Sequence, residues 1–323
     1  MAKILITELL DLSAVDLLNR HQHEVVKAWE LNEHELETHY PEVEGILVRV
    51  AKIPASLMER MPQLKVVAKH GVGCDNIDVA YARKHNIAVG IAASANATSV
   101  AEHTLMFMLA AAKDLLRMDH TTRHDYSSRA NIDAVDLNGR TVLVLGYGRI
   151  GAKVAVLCRA FGMNVLVHDN KLSPTQADID GFKLVHDLHQ GLAEADILTV
   201  HVPLTNQTQH MIAEKEMRLM KPDAIVVNCG RGGIVHEQDL AHLLQENMLK
   251  AAAMDVFSVE PILPDNPLLQ APRCILAPHA AALTRESLAR MAQEAAQNIV
   301  DVVEGRGLKP GYSYELESFS QQN

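Results

Sequence analysis

Cysteines are few in this chain, and they lie far apart. The 323-residue sequence contains four of them: Cys74, Cys158, Cys229 and Cys274. No two form the C-x-x-C pair that a zinc or redox site would need, so neither a metal site nor a disulfide framework is expected. Reduced, buried thiols are the ordinary outcome of such spacing.

Long apolar runs and an excess of positive charge are also missing. The longest apolar run, Leu105 to Ala112, is far too short to span a bilayer. The N-terminal residues are interrupted by Glu8 and Asp11, which a secretory signal would not tolerate well. The formal charge of −10 argues against nucleic acid or an anionic membrane as a partner. The sequence therefore predicts a cytoplasmic protein whose partner is a small molecule.

The stretch that organises the chain runs from Thr141 to Gly151, TVLVLGYGRIG. Its first five residues predict a strand that is buried on both faces. Gly146, Gly148 and Gly151 follow, and then a helix-forming segment. In a dinucleotide-binding fold these glycines make the tight turn, admit the pyrophosphate and bring the helix close to the strand. The N–H groups at the helix N-terminus would face the phosphates.

A second strand indicates where an adenosine ribose would bind. The apolar run from Asn164 to His168 ends at Asp169, roughly 20 residues after Gly151, where this fold places a ribose-binding acid. The glycine pattern alone could be a plain tight turn, and Asp169 could be an exposed strand-end residue. The order of strand, turn, helix and acid favours a dinucleotide site. NAD is expected over NADP, because Asp169 would repel a 2′-phosphate.

Strands and helices alternate along the whole chain, which predicts an α/β protein of about two domains. The first ninety or so residues should form a small parallel-sheet unit. A capping box at Ser99 and Glu102 is predicted to open a long helix that reaches about Leu116. The polar stretch from Arg117 to Asn138 is expected to be an extended connector. After Thr141, a full doubly wound set of elements predicts a complete dinucleotide domain.

Three further stretches, which begin at His201, Asn228 and Asp255, each end a predicted strand, where ligands bind in open parallel sheets. Together with the glycine turn they resemble the D-isomer-specific 2-hydroxyacid dehydrogenases, over about Gly45 to Glu304. The blocks are GCDNID from Gly73, SVAE from Ser99, VHVP from Val200, NCGRGG from Asn228, DVF from Asp255, Glu260-Pro261 and Pro278-His279. The resemblance implies an oxidoreductase that uses NAD to interconvert a small D-2-hydroxy acid and its 2-keto acid.

The resemblance also implies that Arg231, Glu260 and His279 are catalytic. An imidazole titrates near neutrality and suits the proton that a reduced carbonyl oxygen requires. A neighbouring carboxylate keeps that proton available, and a guanidinium can bind a planar carboxylate through two parallel hydrogen bonds. Taken singly, each residue could have an ordinary structural role, since the chain has 17 histidines and arginines commonly form surface ion pairs.

Contacts to the cofactor and the substrate follow from the same resemblance. The implied cofactor contacts are Gly146, Gly148, Arg149, Ile150, Gly151, Asp169, His201, Val202, Pro203, Asn228, Cys229, Gly230, Asp255 and Ala281. The implied substrate contacts are Arg49, Lys69, Gly71, Val72 and Gly73.

The identity of the substrate stays open between two interpretations. Arg49 and Lys69 could bind a phosphate together, or Arg49 could orient a carboxylate while Lys69 is solvated. Val50 argues mildly against a phosphate, because it offers no hydroxyl donor. The expected substrate is a small polar 2-keto acid: phosphohydroxypyruvate, hydroxypyruvate or glyoxylate, with 3-phosphoglycerate or glycerate in the reverse direction.

The resemblance further implies two doubly wound parallel-sheet domains. A Rossmann nucleotide domain at residues 99–283 would be inserted into a smaller, flavodoxin-like substrate domain at residues 1–98 and 284–323. The site would lie between the domains, and the helix from Ser99 with the arm after it would pair two chains as a homodimer. The alternative function is an NAD(H)-sensing co-repressor on the same fold, which would be expected to carry long disordered extensions.

Overall fold

The computed structural model describes residues 1–172 and 181–314. The chain divides into two compact units, Met1–Asn96 with Leu283–Asn323, and Ala97–Ala282. Each unit contains one parallel sheet with helices, which confirms the predicted α/β class. The last part of the predicted substrate domain, residues 315–323, lies outside the described residues. None of the described helices is both long and apolar enough to cross a bilayer.

The first unit is built on a five-stranded parallel sheet with the order β2-β1-β3-β4-β5. This order is typical of flavodoxin-like folds. The strands are β1 (Lys3–Ile6), β2 (Glu24–Lys27), β3 (Val43–Val48), β4 (Val66–Lys69) and β5 (Ala88–Ile91). The helices are α1 (Ser13–Arg20), α2 (Glu33–His39), α3 (Ala55–Met58), α4 (Val79–Lys84) and, last in the chain, α11 (Arg285–Val303).

The second unit is built on a seven-stranded parallel sheet with the order β12-β11-β10-β9-β6-β7-β8. Its strands are β6 (Thr141–Leu145), β7 (Asn164–His168), β8 (Lys183–Leu184), β9 (Ile197–Val200), β10 (Ala224–Asn228), β11 (Leu249–Met254) and β12 (Cys274–Leu276). Its helices are α5 (Ala97–Ala112), α6 (Leu115–His124), α7 (Arg149–Ala160), α8 (Leu188–Glu194), α9 (Glu214–Met217) and α10 (Glu237–Gln245).

The strand order reverses between β6 and β9, and this reversal positions the site. The chain builds outward from β6 through β7 and β8, and then returns to place β9 on the other side of β6. Ligands bind outside the carboxyl ends of the strands at such a switch point. The glycine turn after β6 and His201 after β9 therefore lie at the position where this topology predicts a ligand.

Both faces of β6 are buried, as the apolar run predicts. Leu143 and Leu145 pack into one hydrophobic cluster, whereas Val142 and Val144 pack into another on the opposite face. The four side chains are at most 1% exposed. Helices on both sides of the sheet supply these clusters, which is the doubly wound arrangement.

The predicted capping box at Ser99 is wrong. Helix α5 begins at Ala97, so Ser99 is a buried residue inside the helix and Glu102 is an exposed one. The helix also ends earlier than predicted, because Asp114 adopts a left-handed backbone conformation with a φ of 55°. Aspartate tolerates this conformation better than most residues, so the chain turns there and starts a new helix.

The predicted extended connector after Arg117 is also wrong. Most of α6 and a 3₁₀ turn at Tyr126–Asn131 occupy this stretch. The only buried residue of α6 is Thr121, so the helix shows almost no apolar periodicity in the sequence. The sequence analysis also missed β2 and α2, although Asn32 and Glu35 form a capping box at the start of α2.

Candidate active site

The glycine turn after β6 has the geometry that a dinucleotide requires. Gly146 has a φ of 96°, and a Cβ atom on it would lie 2.8 Å from the backbone of His201. A Cβ on Gly151 would lie 1.9 Å from the carbonyl oxygen of Gly146. A Cβ on Gly148 would meet nothing within 4 Å. Packing therefore requires the outer two glycines, while Gly148 faces open space at the start of α7, where a pyrophosphate fits.

Asp169 ties the end of β7 to this turn. Its carboxylate accepts hydrogen bonds from the N–H groups of Tyr147 at 2.7 Å and Lys171 at 2.7 Å. A carboxylate has about four acceptor positions, so two further donors, such as ribose hydroxyls, can be accommodated. Arg149 and Ile150, the other predicted contacts here, are the first two residues of α7.

His201 lies against the turn from the other side of the switch point. Burial lowers the pKa of His201 to about 3, so its imidazole is neutral. Its Nε2 atom lies 2.9 Å from the hydroxyl of Thr199. Its Nδ1 atom is buried and has no hydrogen-bond partner among the described residues. A buried orphan nitrogen beside the turn fits a site that a polar ligand completes. Val202 and Pro203 continue the chain from His201, half-buried and exposed respectively.

The side chain of Asn228, the last residue of β10, holds the loop that carries Arg231. Asn228 is fully buried; its Oδ1 atom accepts from the Gly230 N–H at 2.9 Å, and its Nδ2 atom donates to the Arg231 carbonyl at 2.9 Å. The Arg231 guanidinium donates to the carbonyl of Gly230 at 2.8 Å. Burial raises the pKa of Cys229 to about 12, so its sulfur remains a thiol. A Cβ on Gly232 would lie 1.8 Å from the Phe257 carbonyl, so the loop packs tightly.

Asp255 holds the turn that carries His279. Its side chain is 1% exposed, and it accepts hydrogen bonds from the N–H groups of Ala280 at 2.7 Å and Ala281 at 2.9 Å. Its carbonyl accepts from the His279 N–H at 2.8 Å. His279 has a φ of 53°, a left-handed conformation that few non-glycine residues adopt. Such strain clusters at functional sites, where the surrounding structure maintains it.

Glu260 and His279 form a hydrogen-bonded pair. The Glu260 Oε2 atom lies 2.7 Å from the His279 Nδ1 atom, and the Glu260 Oε1 atom accepts from the Phe257 N–H at 3.0 Å. Burial is the largest influence on the Glu260 carboxyl and favours its neutral form. The hydrogen bonds and the positive charges of His279 and Arg231 outweigh it, so the pKa of Glu260 lies below its ordinary value.

The predicted substrate contacts belong to the first unit. Arg49 lies just after β3, one residue beyond the strand in which the sequence placed it, and Lys69 ends β4. Gly71, with a φ of 139°, begins the turn that continues through Val72 and Gly73. Lys69 is engaged within the unit, because its ammonium donates to the carbonyl of Arg49 and to Asn76 Oδ1.

Three polar residues near the predicted ones were missed by the sequence analysis. Glu8 binds the loop that carries Arg49, and Asn76 binds the same loop. Asn76 stands in the GCDNID block, a signal that could have found it. His103 on α5 lies with its Nε2 atom 3.8 Å from Asp255 Oδ1, and no pattern indicated this. Among the described residues, no group of three or more His, Cys, Asp or Glu residues is placed to hold a metal.

Comparison with known proteins decides the family. A family model described as "D-isomer specific 2-hydroxyacid dehydrogenase, NAD binding domain" matches residues 105–281, more than half of the chain. The chain belongs to this dehydrogenase family. The match confirms the resemblance predicted from the sequence, and the matched domain contains the glycine turn, Asp169, Arg231, Glu260 and His279.

Individual relatives of the chain support the same family. The D-3-phosphoglycerate dehydrogenase of Archaeoglobus fulgidus is 37% identical over 94% of this chain and 58% of its own length. The glyoxylate reductase of Aeropyrum pernix is 39% identical over 79% of this chain and 78% of its own. The crystal structure of the TT0316 protein from Thermus thermophilus superposes with a TM-score of 0.83 at 31% identity, covering 94% of this chain and 98% of its own.

The chain covers little more than half of the phosphoglycerate dehydrogenases that it matches. The chain spans 58% and 56% of the length of two archaeal relatives with that name. The match to the family model establishes the family and its NAD-binding domain, whereas the roles of Arg231, Glu260 and His279 stay predictions.

The glycine turn yields a paired test of packing and binding. Gly151→Ala should lower the free energy of unfolding by about 1–3 kcal/mol, because its Cβ collides with the backbone. Gly148→Ala should change stability by less than about 0.5 kcal/mol, because its Cβ meets open space, but it should weaken NADH binding by at least about tenfold. Urea unfolding and fluorescence titration with NADH measure both effects. If Gly151→Ala were as stable as the wild type, or if Gly148→Ala bound NADH normally, the assignment of the glycine turn would be contradicted.

Proposed function

We propose that this chain is an NAD-dependent oxidoreductase that interconverts a small D-2-hydroxy acid and its 2-keto acid. The observation that carries the proposal is the pair of Glu260 and His279 at 2.7 Å, in the same unit as the glycine turn. A hydrogen-bonded carboxylate and imidazole supply the acid–base group that a carbonyl reduction needs. Relatives named D-3-phosphoglycerate dehydrogenase and glyoxylate reductase support the same substrate class.

His279 is the proton donor in the proposed reduction. Its Nδ1 atom is bound to Glu260, so Nε2 is the ring atom that presents a proton to the carbonyl oxygen. Glu260 orients the ring and stabilises the imidazolium, and Arg231 binds the substrate carboxylate through its planar guanidinium. Bound NADH supplies the hydride that reduces the keto carbon. In the oxidation direction, neutral His279 takes the hydroxyl proton back.

Asp169 supports a preference for NADH over NADPH. Its carboxylate is fixed by two backbone N–H groups, so it cannot easily rotate away from a ligand at the end of β7. A 2′-phosphate there would meet a negative charge at close range, whereas ribose hydroxyls can donate to it. Lys171, whose N–H binds the same carboxylate, is the competing cationic feature.

The substrate in this proposal is a small polar 2-keto acid with two or three carbons. The ammonium of Lys69 already donates to Arg49 and Asn76, which favours an unphosphorylated substrate such as glyoxylate or hydroxypyruvate over phosphohydroxypyruvate. Val50 supports the same choice, since its side chain is exposed and offers no donor to a phosphate.

The proposal includes assembly as a homodimer. The start of α6 exposes Leu115 and Leu116, and Tyr126 is exposed just after the helix. Adjacent exposed apolar side chains such as Leu115 and Leu116 favour a protein partner. A second copy of the chain is the occupant that the family resemblance implies.

The proposed activity can be tested with purified protein, NADH and a panel of 2-keto acids. We expect turnover with glyoxylate or hydroxypyruvate, weaker turnover with phosphohydroxypyruvate, and little with a bulky apolar 2-keto acid. NADPH should be a poorer cofactor than NADH, because of Asp169. Tight NADH binding without turnover of any substrate would favour the nicotinamide-sensing alternative. Equal use of NADPH would contradict the role of Asp169.

The acid–base pair can be tested with His279→Ala and Glu260→Gln. His279→Ala should lower kcat by about 10²–10⁴-fold with nearly unchanged NADH affinity, because only the proton donor is lost. Glu260→Gln should move the alkaline limb of the reduction rate to lower pH, because the charge that stabilises imidazolium is gone.

His242→Ala is the matched control for this experiment. Its imidazole lies 3.3 Å from Glu246 and its side chain is 49% exposed, compared with 50% for His279. The control should retain wild-type kcat. Near-normal turnover by His279→Ala would overturn the assignment of the proton donor.

A further inference from the structure

The loop of Arg49, Val50 and Ala51, called the 49–51 loop below, points its N–H groups at one carboxylate. The Glu8 Oε1 atom accepts from the N–H of Arg49 and from that of Val50 at 2.9 Å. The Glu8 Oε2 atom accepts from the N–H of Ala51 at 3.1 Å. Successive N–H groups that converge in this way form an anion-binding site, and here the anion is a side chain of the same unit.

The carbonyl groups of the 49–51 loop are held from a different side. The Asn76 Nδ2 atom donates to the Ala51 carbonyl at 2.6 Å and to the Arg49 carbonyl at 3.5 Å. The Lys69 ammonium donates to the Arg49 carbonyl and to Asn76 Oδ1, so it links the 49–51 loop to the side chain of Asn76. The loop is thus fixed by hydrogen bonds to its backbone from Glu8, Asn76 and Lys69.

Apolar packing contributes little at the tip of this loop. The side chain of Val50 is 72% exposed. Strand β3 ends at Val48, and the ladder hydrogen bonds of the sheet end with it. Ala51 packs against the core of the unit, so the conformation at Arg49 and Val50 depends mainly on the hydrogen bonds from Glu8, Asn76 and Lys69.

We propose that Glu8 is a positioning residue that presets the 49–51 loop, with Asn76 as its counterpart, and thereby sets the affinity for the 2-keto acid. This inference rests on the proposed function and on the expectation from the family resemblance that Arg49 contacts the substrate. Glu8 acts through the backbone and does not touch the reacting atoms. It changes how much of the free protein has Arg49 in its binding position, so its loss raises KM and leaves kcat almost unchanged.

Glu8→Gln is the decisive variant, because it keeps the size of the side chain and removes one acceptor. The amide of glutamine places an NH₂ group where an oxygen accepted a backbone N–H, so at least one N–H loses its partner. Glu44→Gln is the matched control: Glu44 lies on β3 of the same unit, and it binds the Lys65 ammonium at 2.6 Å. Each variant removes one carboxylate from the same unit, but only Glu8→Gln disturbs the loop.

Steady-state kinetics give the first measurement. For Glu8→Gln we expect KM for the 2-keto acid to rise on the order of tenfold, with kcat within about threefold and the Kd of NADH unchanged. Glu44→Gln should leave all three values unchanged. Asn76→Ser removes the hydrogen bonds that the Asn76 amide donates to the loop carbonyls, so it should also raise KM. This variant tests the inference if Glu8→Gln does not fold. Unchanged KM in a folded Glu8→Gln protein that turns over substrate would overturn the inference.

Amide hydrogen exchange of the 49–51 loop gives a measurement that needs no activity. In protein without cofactor, the three N–H groups should exchange faster in Glu8→Gln than in wild type, whereas their exchange should be unchanged in Glu44→Gln. If the wild type turns over no 2-keto acid, the proposed function fails while exchange still decides whether Glu8 presets the loop. Equal exchange in Glu8→Gln and wild type would overturn the positioning role.

Discussion

The carboxylate of Asp255 is almost completely buried, and the N–H groups that it binds belong to the turn after His279. A buried charge is tolerated only when hydrogen bonds replace water, so this turn and this carboxylate stabilise each other. The Asp255 N–H also donates to the carbonyl of Asn228 at 2.9 Å, and Asn228 holds the Arg231 loop. Removal of the Asp255 carboxylate would release the strained backbone of His279 and weaken the hydrogen bond between His279 and Glu260.

Glu8 does in the first unit what Asp255 does in the second. Each carboxylate binds consecutive backbone N–H groups of a turn that carries a candidate functional side chain, Arg49 or His279. Charge-assisted hydrogen bonds of this kind are stronger than those between neutral groups. They fix the backbone of the turn directly, so the functional side chain can remain open to a ligand. Burial lowers the pKa of the His103 imidazole, although the nearby carboxylate of Asp255 acts in the opposite direction.

The sequence predicted the elements whose signals are local. The bounds of β6 and β7 agree with the prediction, because each is a continuous apolar run that ends at a polar residue or a turn. The glycine turn was recognised for the same reason. Helix α6 was missed because it buries only Thr121. The role of Glu8 could not be read from the sequence, since its partners lie more than 40 residues away. The left-handed backbone of His279 likewise depends on contacts with Asp255 and gives no local signal.

Transfer of a label from the cofactor tests the account most directly. Purified protein would be incubated with NADH dideuterated at C4 and hydroxypyruvate, and the product analysed by chiral chromatography and mass spectrometry. The account predicts glycerate of the D configuration with one deuterium at C2, because the hydride comes from the nicotinamide while Arg231 and His279 fix the face of the keto acid. Product of the L configuration, a racemic product, or glycerate without deuterium at C2 would contradict it.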